Sequence, residues 1–146
     1  MTFPFSVEVA VRGYEIDFAG HVNHAVYALW VEHARWELWR ALKLDRECKG
    51  LIPVVRHVEA DYLGETFLGD RLEIRLWPRW VRNTSFALGG SIRVTGAEDP
   101  ERIGREVHRT TVVLVCVRPA KGKIPVPDSW RPWFPSEDPG PDFRSS

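Results

Sequence analysis

Five residues in one short stretch have the types and spacing to do chemistry: Asp17, Gly20, His21, Asn23 and His24. They fall within Tyr14-Glu15-Ile16-Asp17-Phe18-Ala19-Gly20-His21-Val22-Asn23-His24-Ala25-Val26-Tyr27, between a strand-like run and the longest helical pattern of the chain. Asp17 precedes a glycine at the entrance to a buried helix. A carboxylate there can serve as general base or nucleophile, and partial burial would raise its pKa toward a useful range. The plainer alternative is a loop aspartate that accepts from nearby amides as a turn former, and spacing alone favours it. From Gly20 to His24 the chain enters the helix. The first amides of a helix have no internal partner and carry the positive end of its dipole. Aimed at a carbonyl oxygen they form an oxyanion-type site; left to themselves they are an ordinary capped helix start. Asn23 is a good N-cap and can satisfy one or two of them, which leaves the amide of His24 or a neighbour for a ligand. With Asp17, the imidazoles of His21 and His24 make an acid–base set. As metal ligands they lack an HExxH pattern or a cysteine cluster, and no metal is expected.

Other polar residues carry weaker signals. Glu32 and Glu37 read as solvated helix charges paired with Arg35 or Arg40. Arg79 and Arg82 are spaced to hold phosphates, since the guanidinium matches phosphate geometry; the alternative is a solvated strand edge. His33, His57 and His108 have no comparable local context and receive no role. The sequence contains no Walker loop, no GxGxxG and no GxSxG. Nucleotide hydrolysis, dinucleotide binding and the serine-hydrolase elbow are all weakened by that.

The elements that must position these residues follow from periodicity. Ser6 to Arg12 alternates, with Val7, Val9 and Val11 on one side, and reads as a half-buried strand. From His24 to Leu42, Tyr27, Trp30, Val31, Ala34, Leu38, Ala41 and Leu42 recur at helical spacing. Val26, Leu29, Trp36 and Trp39 widen the apolar part, so the helix is expected to be enclosed on more than one side. Lys43 and Arg46 suit its negative end, and Cys48-Lys49-Gly50 ends it. Strands are expected over Pro53 to Leu63, Arg71 to Arg82, Phe86 to Val94 and Glu106 to Arg118. Pro78 predicts an edge or bulge, and Gly89-Gly90 a bend or close approach. Val112 to Val117 is apolar on both faces, as in a central strand covered on both sides. Short turns favour an antiparallel meander. The class is α+β: one long helix laid across a curved antiparallel sheet of about five strands. After Pro119 repeated prolines forbid a regular element. The chain is therefore expected to be one domain over residues 1–118. Its tail, 119–146, should be extended, docking Trp130, Trp133 and Phe134 on the body, with the last residues disordered.

Composition agrees with a single domain of 146 residues. Hydrophobic content of 44% and charged content of 27% are enough for a core. Twenty basic and twenty acidic residues give a net charge of zero, without the basic surplus of a nucleic-acid binder. Cys48 and Cys116 form no CxxC pair and read as free thiols in a reducing compartment. No run is apolar enough to span a bilayer, and the N-terminus lacks the pattern of a signal peptide. The expectation is a cytoplasmic protein with no nucleic-acid or membrane partner. Seven tryptophans imply large apolar surfaces to bury, some of them between subunits.

The run from Val11 to Tyr27, followed by Trp30-Val31-Glu32-His33-Ala34-Arg35, resembles the signature of hotdog-fold acyl-CoA thioesterases. Within them it is most similar to the 4-hydroxybenzoyl-CoA thioesterase / YbgC-like subgroup. Val58-Glu59-Ala60-Asp61-Tyr62-Leu63 with Leu68-Gly69-Asp70, and Thr110 to Val117, are similar to that family as well. The chain departs from the pattern at Ile16, where a threonine or serine is common, and at Gly64-Glu65, which replaces a basic-proline pair.

The resemblance implies a helix wrapped by the sheet, assembled as a homodimer or homotetramer with a substrate tunnel at the subunit interface. It implies an acyl-CoA substrate and no cofactor. Asp17 falls at the family's catalytic aspartate. His24 falls where the helix-start amide faces the thioester carbonyl and where YbgC-like members carry a histidine. Gly20, Val22, Asn23 and Tyr27 become substrate-positioning residues, and Arg79, Arg82 and Ser85 candidates for the CoA phosphates. The implied reaction polarises the carbonyl at the His24 amide, with Asp17 as base on water or as nucleophile through an anhydride. Two rivals stand beside it. One is an enoyl-CoA hydratase of the same fold, ranked lower because Asn23 is followed by His24 and not by proline. The other is a non-catalytic acyl-CoA binding module.

Overall fold

The computed structural model describes residues 1–44, 48 and 50–135. Arg46, Lys49 and the tail beyond Pro135, with the endings expected there, lie outside the described residues. The order is β1 (Phe5–Ala10), a 3-10 turn Gly13–Glu15, α1 (His24–Ala41), β2 (Ile52–Tyr62), β3 (Arg71–Val81) and β4 (Ser85–Gly96). A 3-10 turn Pro100–Arg102, β5 (Glu106–Arg118), the two-residue β6 (Gly122–Lys123) and a 3-10 helix Asp128–Trp133 complete it. All strands join one antiparallel sheet in the order β1-β3-β4-β5-β2, with β6 on β5.

That order corrects the simple meander. β3, β4 and β5 follow one another as expected, but β2 lies beyond β5 and β1 closes against β3. The segment from Leu63 to Asp70 is what carries the chain from one side of the sheet to the other. It is held on the way, with Leu63 N donating to Val107 O at 2.9 Å and Val11 N to Asp70 O at 2.9 Å.

The alternation in β3 is realised as read: Leu72, Ile74 and Leu76 are buried toward α1 with Tyr27, Trp30, Val31, Ala34 and Leu38. Pro78 sits at a register shift between Pro78 and Trp80. It also lies past the last residue of β3 paired with β1, Leu76, so its missing N–H costs no ladder bond there. β5 is central. Val112, Leu114 and Cys116 face the helix, while Val113 joins Trp80 and Ala87 in a small cluster on the outer face. Gly89-Gly90 produces a close approach rather than a bend. A Cβ on Gly89 would meet the Trp77 ring at 2.4 Å, so the indole lies against bare backbone.

Two further expectations change. The helix is enclosed on one side only, and Leu29 and Trp36 are exposed. The prolines of the tail do not exclude regular turns: Asp128–Trp133 forms a 3-10 helix that buries Trp130 and seats Phe134. Trp130 N bonds Pro127 O at 3.0 Å and Phe134 N bonds Arg131 O at 3.2 Å, so the first and last turns close without a donor on Pro132. Among the described residues no helix is long and apolar enough to cross a membrane.

Candidate active site at the start of α1

The stretch before α1 folds as a tight hairpin. Ile16 and Val22 form an isolated bridge, Asp17 N donates to His21 O at 2.9 Å, and Gly20 N donates to Asp17 O at 3.1 Å. Gly20 has φ of 89°, the left-handed conformation a short hairpin loop needs at its last residue. The turn-forming role of Asp17 is real: its Oδ1 accepts from Ala19 N at 2.9 Å. Only one oxygen is used this way. Oδ2 lies 3.5 Å from His21 Nδ1, and the carboxylate remains partly exposed. The other ring nitrogen of His21 is 3.9 Å from Glu65 Oε1.

The helix start follows immediately. Asn23 Oδ1 accepts from Ala25 N and Asn23 O from Val26 N, each at 3.0 Å. Among the described residues the amide of His24 has no acceptor. One donor at the positive end of an 18-residue helix is thus left for something outside the chain. The imidazole of His24 does not turn to Asp17. It packs edge-on against Tyr62, with centroids 6.1 Å apart. Of the two histidines, the fold brings His21 to the aspartate and His24 to the amide position.

Residues the sequence left without a role hold this arrangement. Glu15 is 6% exposed. Its carboxylate accepts from Arg12 N at 2.7 Å and from the indole Nε1 of Trp30 at 2.8 Å, while its carbonyl accepts from Asn23 N at 3.0 Å. Burial works against its charge, but the bonds from Arg12 and Trp30 outweigh that and hold the carboxyl below its ordinary range. An acidic residue three positions after Arg12 was the available signal; the indole partner fifteen residues on was not visible.

Loop 64–70 forms the floor. Val22 N donates to Thr66 O at 2.9 Å, and Tyr27 Oη bonds Thr66 Oγ1 at 3.0 Å and Gly64 O at 3.2 Å. The loop is fixed in turn by Asp70, whose two oxygens accept from Arg102 Nη1 at 2.9 Å and Nη2 at 2.6 Å. Val22 and Tyr27 are therefore buried anchors of the site, not groups presented to a ligand. Phe18, Tyr14, Leu63 and Leu68 stand exposed around it.

His108, given no role above, lies here too. It is buried on β5 opposite Tyr62. Burial pushes its imidazole down to about 4, against an opposing pull from Asp61. The phosphate candidates lie elsewhere. Arg79 donates to Thr111 Oγ1 at 2.6 Å, Arg82 covers the Trp80 ring at 4.5 Å, and Ser85 is buried. Ser85 pairs with Val115, whereas Tyr62 pairs with His108. Between those two positions β5 rises about 23 Å, so Ser85, with Arg82 at the same turn, sits at the opposite end of the sheet from Asp17 within one chain.

A family model, the thioesterase-like superfamily, matches residues 11–134. The chain belongs to the thioesterase-like superfamily. Its architecture is the hotdog fold of those enzymes, and thioester hydrolysis is its reaction class. Among solved structures, the chain is 28% identical to the PA2801 protein of Pseudomonas aeruginosa, a candidate thioesterase, with TM-score 0.73 over 86% of this chain and 93% of that one. It is 27% identical to a thioesterase-superfamily protein from Jannaschia sp. CCS1, with TM-score 0.78 over 91% and 82%. The 1,4-dihydroxy-2-naphthoyl-CoA thioesterase Slr0204 from Synechocystis shares the fold at 21% identity, with TM-score 0.70 over 86% and 91%. Comparison with curated proteins finds no match.

Proposed function

We propose that this thioesterase-superfamily chain is an acyl-CoA thioesterase of the 4-hydroxybenzoyl-CoA thioesterase / YbgC-like type, with its chemistry at the hairpin–helix junction. The observation that carries the reading is the unpaired amide of His24, placed one hairpin away from a partly exposed carboxylate whose second oxygen faces the His21 imidazole and no backbone amide. The thioester carbonyl accepts from that amide, which with the helix dipole stabilises the oxyanion; one such donor contributes roughly 3 kcal/mol to lowering a barrier. Asp17 removes a proton from water, or attacks the carbonyl carbon itself and is freed by hydrolysis of the anhydride. The imidazole of His24 orients the water or the departing thiolate. His21 supports Asp17 from the side, and Gly20 and Asn23 shape the turn and the cap.

The same reading includes a homodimer or a higher homo-oligomer. β2 is an edge strand paired on one side only, with Val54, Val55, Val58 and Tyr62 exposed along it. Leu29 and Trp36 are exposed on α1. Such an edge and such apolar groups are what a second copy covers. A neighbouring chain would also be needed to bring Arg82 or Ser85 near a bound CoA.

The test follows thiol release from a panel of aliphatic and aromatic acyl-CoAs, with Asp17→Asn measured beside the parent. Release by the parent and its loss in the variant are expected. No release from any thioester would sink the reading, and equal rates would remove Asp17 as the catalytic group. Equal rates would also reopen other chemistry, with water addition to enoyl-CoA as the reaction to assay next. Light scattering at micromolar concentration should give at least twice the 16.8 kDa chain mass.

A further inference from the structure

Loop 64–70 meets the candidate site on one side and Arg102 on the other. Toward the site, Thr66 O accepts from Val22 N at 2.9 Å, and Tyr27 Oη bonds Thr66 Oγ1 at 3.0 Å and Gly64 O at 3.2 Å. Val22 closes the hairpin that carries Asp17, and Tyr27 lies in the first turn of α1, whose opening residue is His24.

On the other side, Arg102, in the turn between β4 and β5, grips the same loop at three points. Its Nη1 and Nη2 donate to the two oxygens of Asp70 at 2.9 Å and 2.6 Å, and Nη2 also donates to Glu65 O at 3.1 Å. Its guanidinium lies 4.6 Å from the centre of the Phe67 ring. The Asp70 side chain is 3% exposed and that of Arg102 16%, so neither charge can lose its partner cheaply. Packing does not replace this clamp. Gly64, Glu65 and Phe67 of the loop line a cavity of about 250 Å³ together with Arg102, Arg105 and Val107. A loop that borders a cavity has room to shift. The planar fork of a guanidinium fixes both distance and direction, which the point charge of a lysine does not.

Resting on the thioesterase reading above, we propose that Arg102 is a positioning residue for the hydrolysis. Through Asp70 and Glu65 it sets the place of Gly64 and Thr66, and through these the Val22 and Tyr27 anchors of the hairpin and the helix start. What it controls is the spacing between the His24 amide and the Asp17 carboxylate. A misplacement of about 1 Å between reacting groups can cost roughly a hundredfold in rate.

The experiment measures kcat and KM for Arg102→Ala and Arg102→Lys beside the parent, with the acyl-CoA the parent hydrolyses fastest, per folded molecule as judged by circular dichroism. In Arg102→Ala, kcat should fall by about tenfold or more with KM within about threefold of the parent, the pattern of an interaction felt only in the transition state. Arg102→Lys, which keeps the charge and loses the fork, should fall between the two. Guanidinium ion at low millimolar concentration, far below denaturing, should restore part of the activity of Arg102→Ala by entering the vacated place. A merely structural role would lower the melting temperature and leave kcat per folded molecule unchanged, and that would overturn the proposal. So would a raised KM at parental kcat, which would make Arg102 a substrate-binding group. Should Arg102→Ala fail to fold, Arg102→Lys is read by the same split of kcat from KM. If the parent hydrolyses no thioester, the thioesterase reading fails by itself, and Arg102 is tested by backbone amide NMR. The Val22 and His24 signals should then move in Arg102→Lys while that of Trp130 stays in place; unmoved Val22 and His24 signals remove the proposal.

Discussion

At its first turn α1 meets turns, carboxylates and a free amide; at its last turns it meets a stack of indoles. Around the far end, Trp39 lies parallel to Trp130 with centroids 6.4 Å apart, and Trp130 to Trp133 at 6.0 Å. Phe86 stands edge-on to Trp39, Trp130 and Phe134. The guanidinium of Arg131 ties this segment to the carbonyls of Arg82, Asn83 and Val126. There the aromatic rings of the helix, β4 and the tail cover one another and Arg131 is paired with three carbonyls, while Trp36 on the outer side of the helix stays exposed. Around the near end, the His24 amide and His108 Nδ1 are left unpaired and Phe18 is uncovered. The same helix thus has one end built for stability and one end with interactions kept in reserve, as expected where binding energy is to be spent on a ligand.

Substitutions should separate the two ends. The largest effect is expected at Asp17. Asp17→Asn should lower thioester hydrolysis by about two to four orders of magnitude, the range of a lost general base, while the melting temperature stays close to that of the parent. Comparable rates would dissolve the contrast from the active side. Trp130→Ala should act in the opposite sense. Trp130 is 4% exposed, and its loss should cost about 3–5 kcal/mol in urea unfolding while hydrolysis below the transition persists.

The pH dependence of stability should also belong to the near end. His108 titrates at about 4 in the fold, against 6.5 ordinarily. The unfolded chain takes up that proton first on acidification, so this contribution is complete above pH 6.5 and is lost as pH falls toward 4. Its full size is about 3 kcal/mol. Glu15, held below its usual range, adds acid lability only beneath the carboxylate value of 4.5. Urea midpoints measured across this interval should fall for the parent and flatten for His108→Phe. The smallest effect is at the cap. Asn23→Ala removes the bond to Ala25 N and should cost about 1 kcal/mol, read as a small drop in melting temperature.

Much of this was legible in the chain. The helix begins at His24 as its cap signal said, β5 runs from Glu106 to Arg118 as its apolar run said, and β3 buries the residues its alternation named. Those signals are local: a cap, a period of two, a period of 3.6. Pairing is not local. Nothing in Pro53 to Leu63 announces that this strand sits at the far edge beside β5, because strand order depends on which long connection is made. The same limit applied to the site. Asp17, His21 and His24 could be nominated by type and spacing. Trp30 to Glu15, Tyr27 to Thr66 and His108 beside Tyr62 join residues far apart in sequence, with no periodic trace.

By itself, then, the sequence determined one helix, its start, the strands around it and a short crossing with the residue types for acyl transfer. Each is set by backbone propensity and side-chain period over a few residues. Only the tertiary structure decided that the His24 amide is unpaired, that His21 rather than His24 faces Asp17, and that His108 is buried without a partner. Those are questions of which polar groups satisfy one another across the fold, and burial makes the answers energetically costly enough to matter.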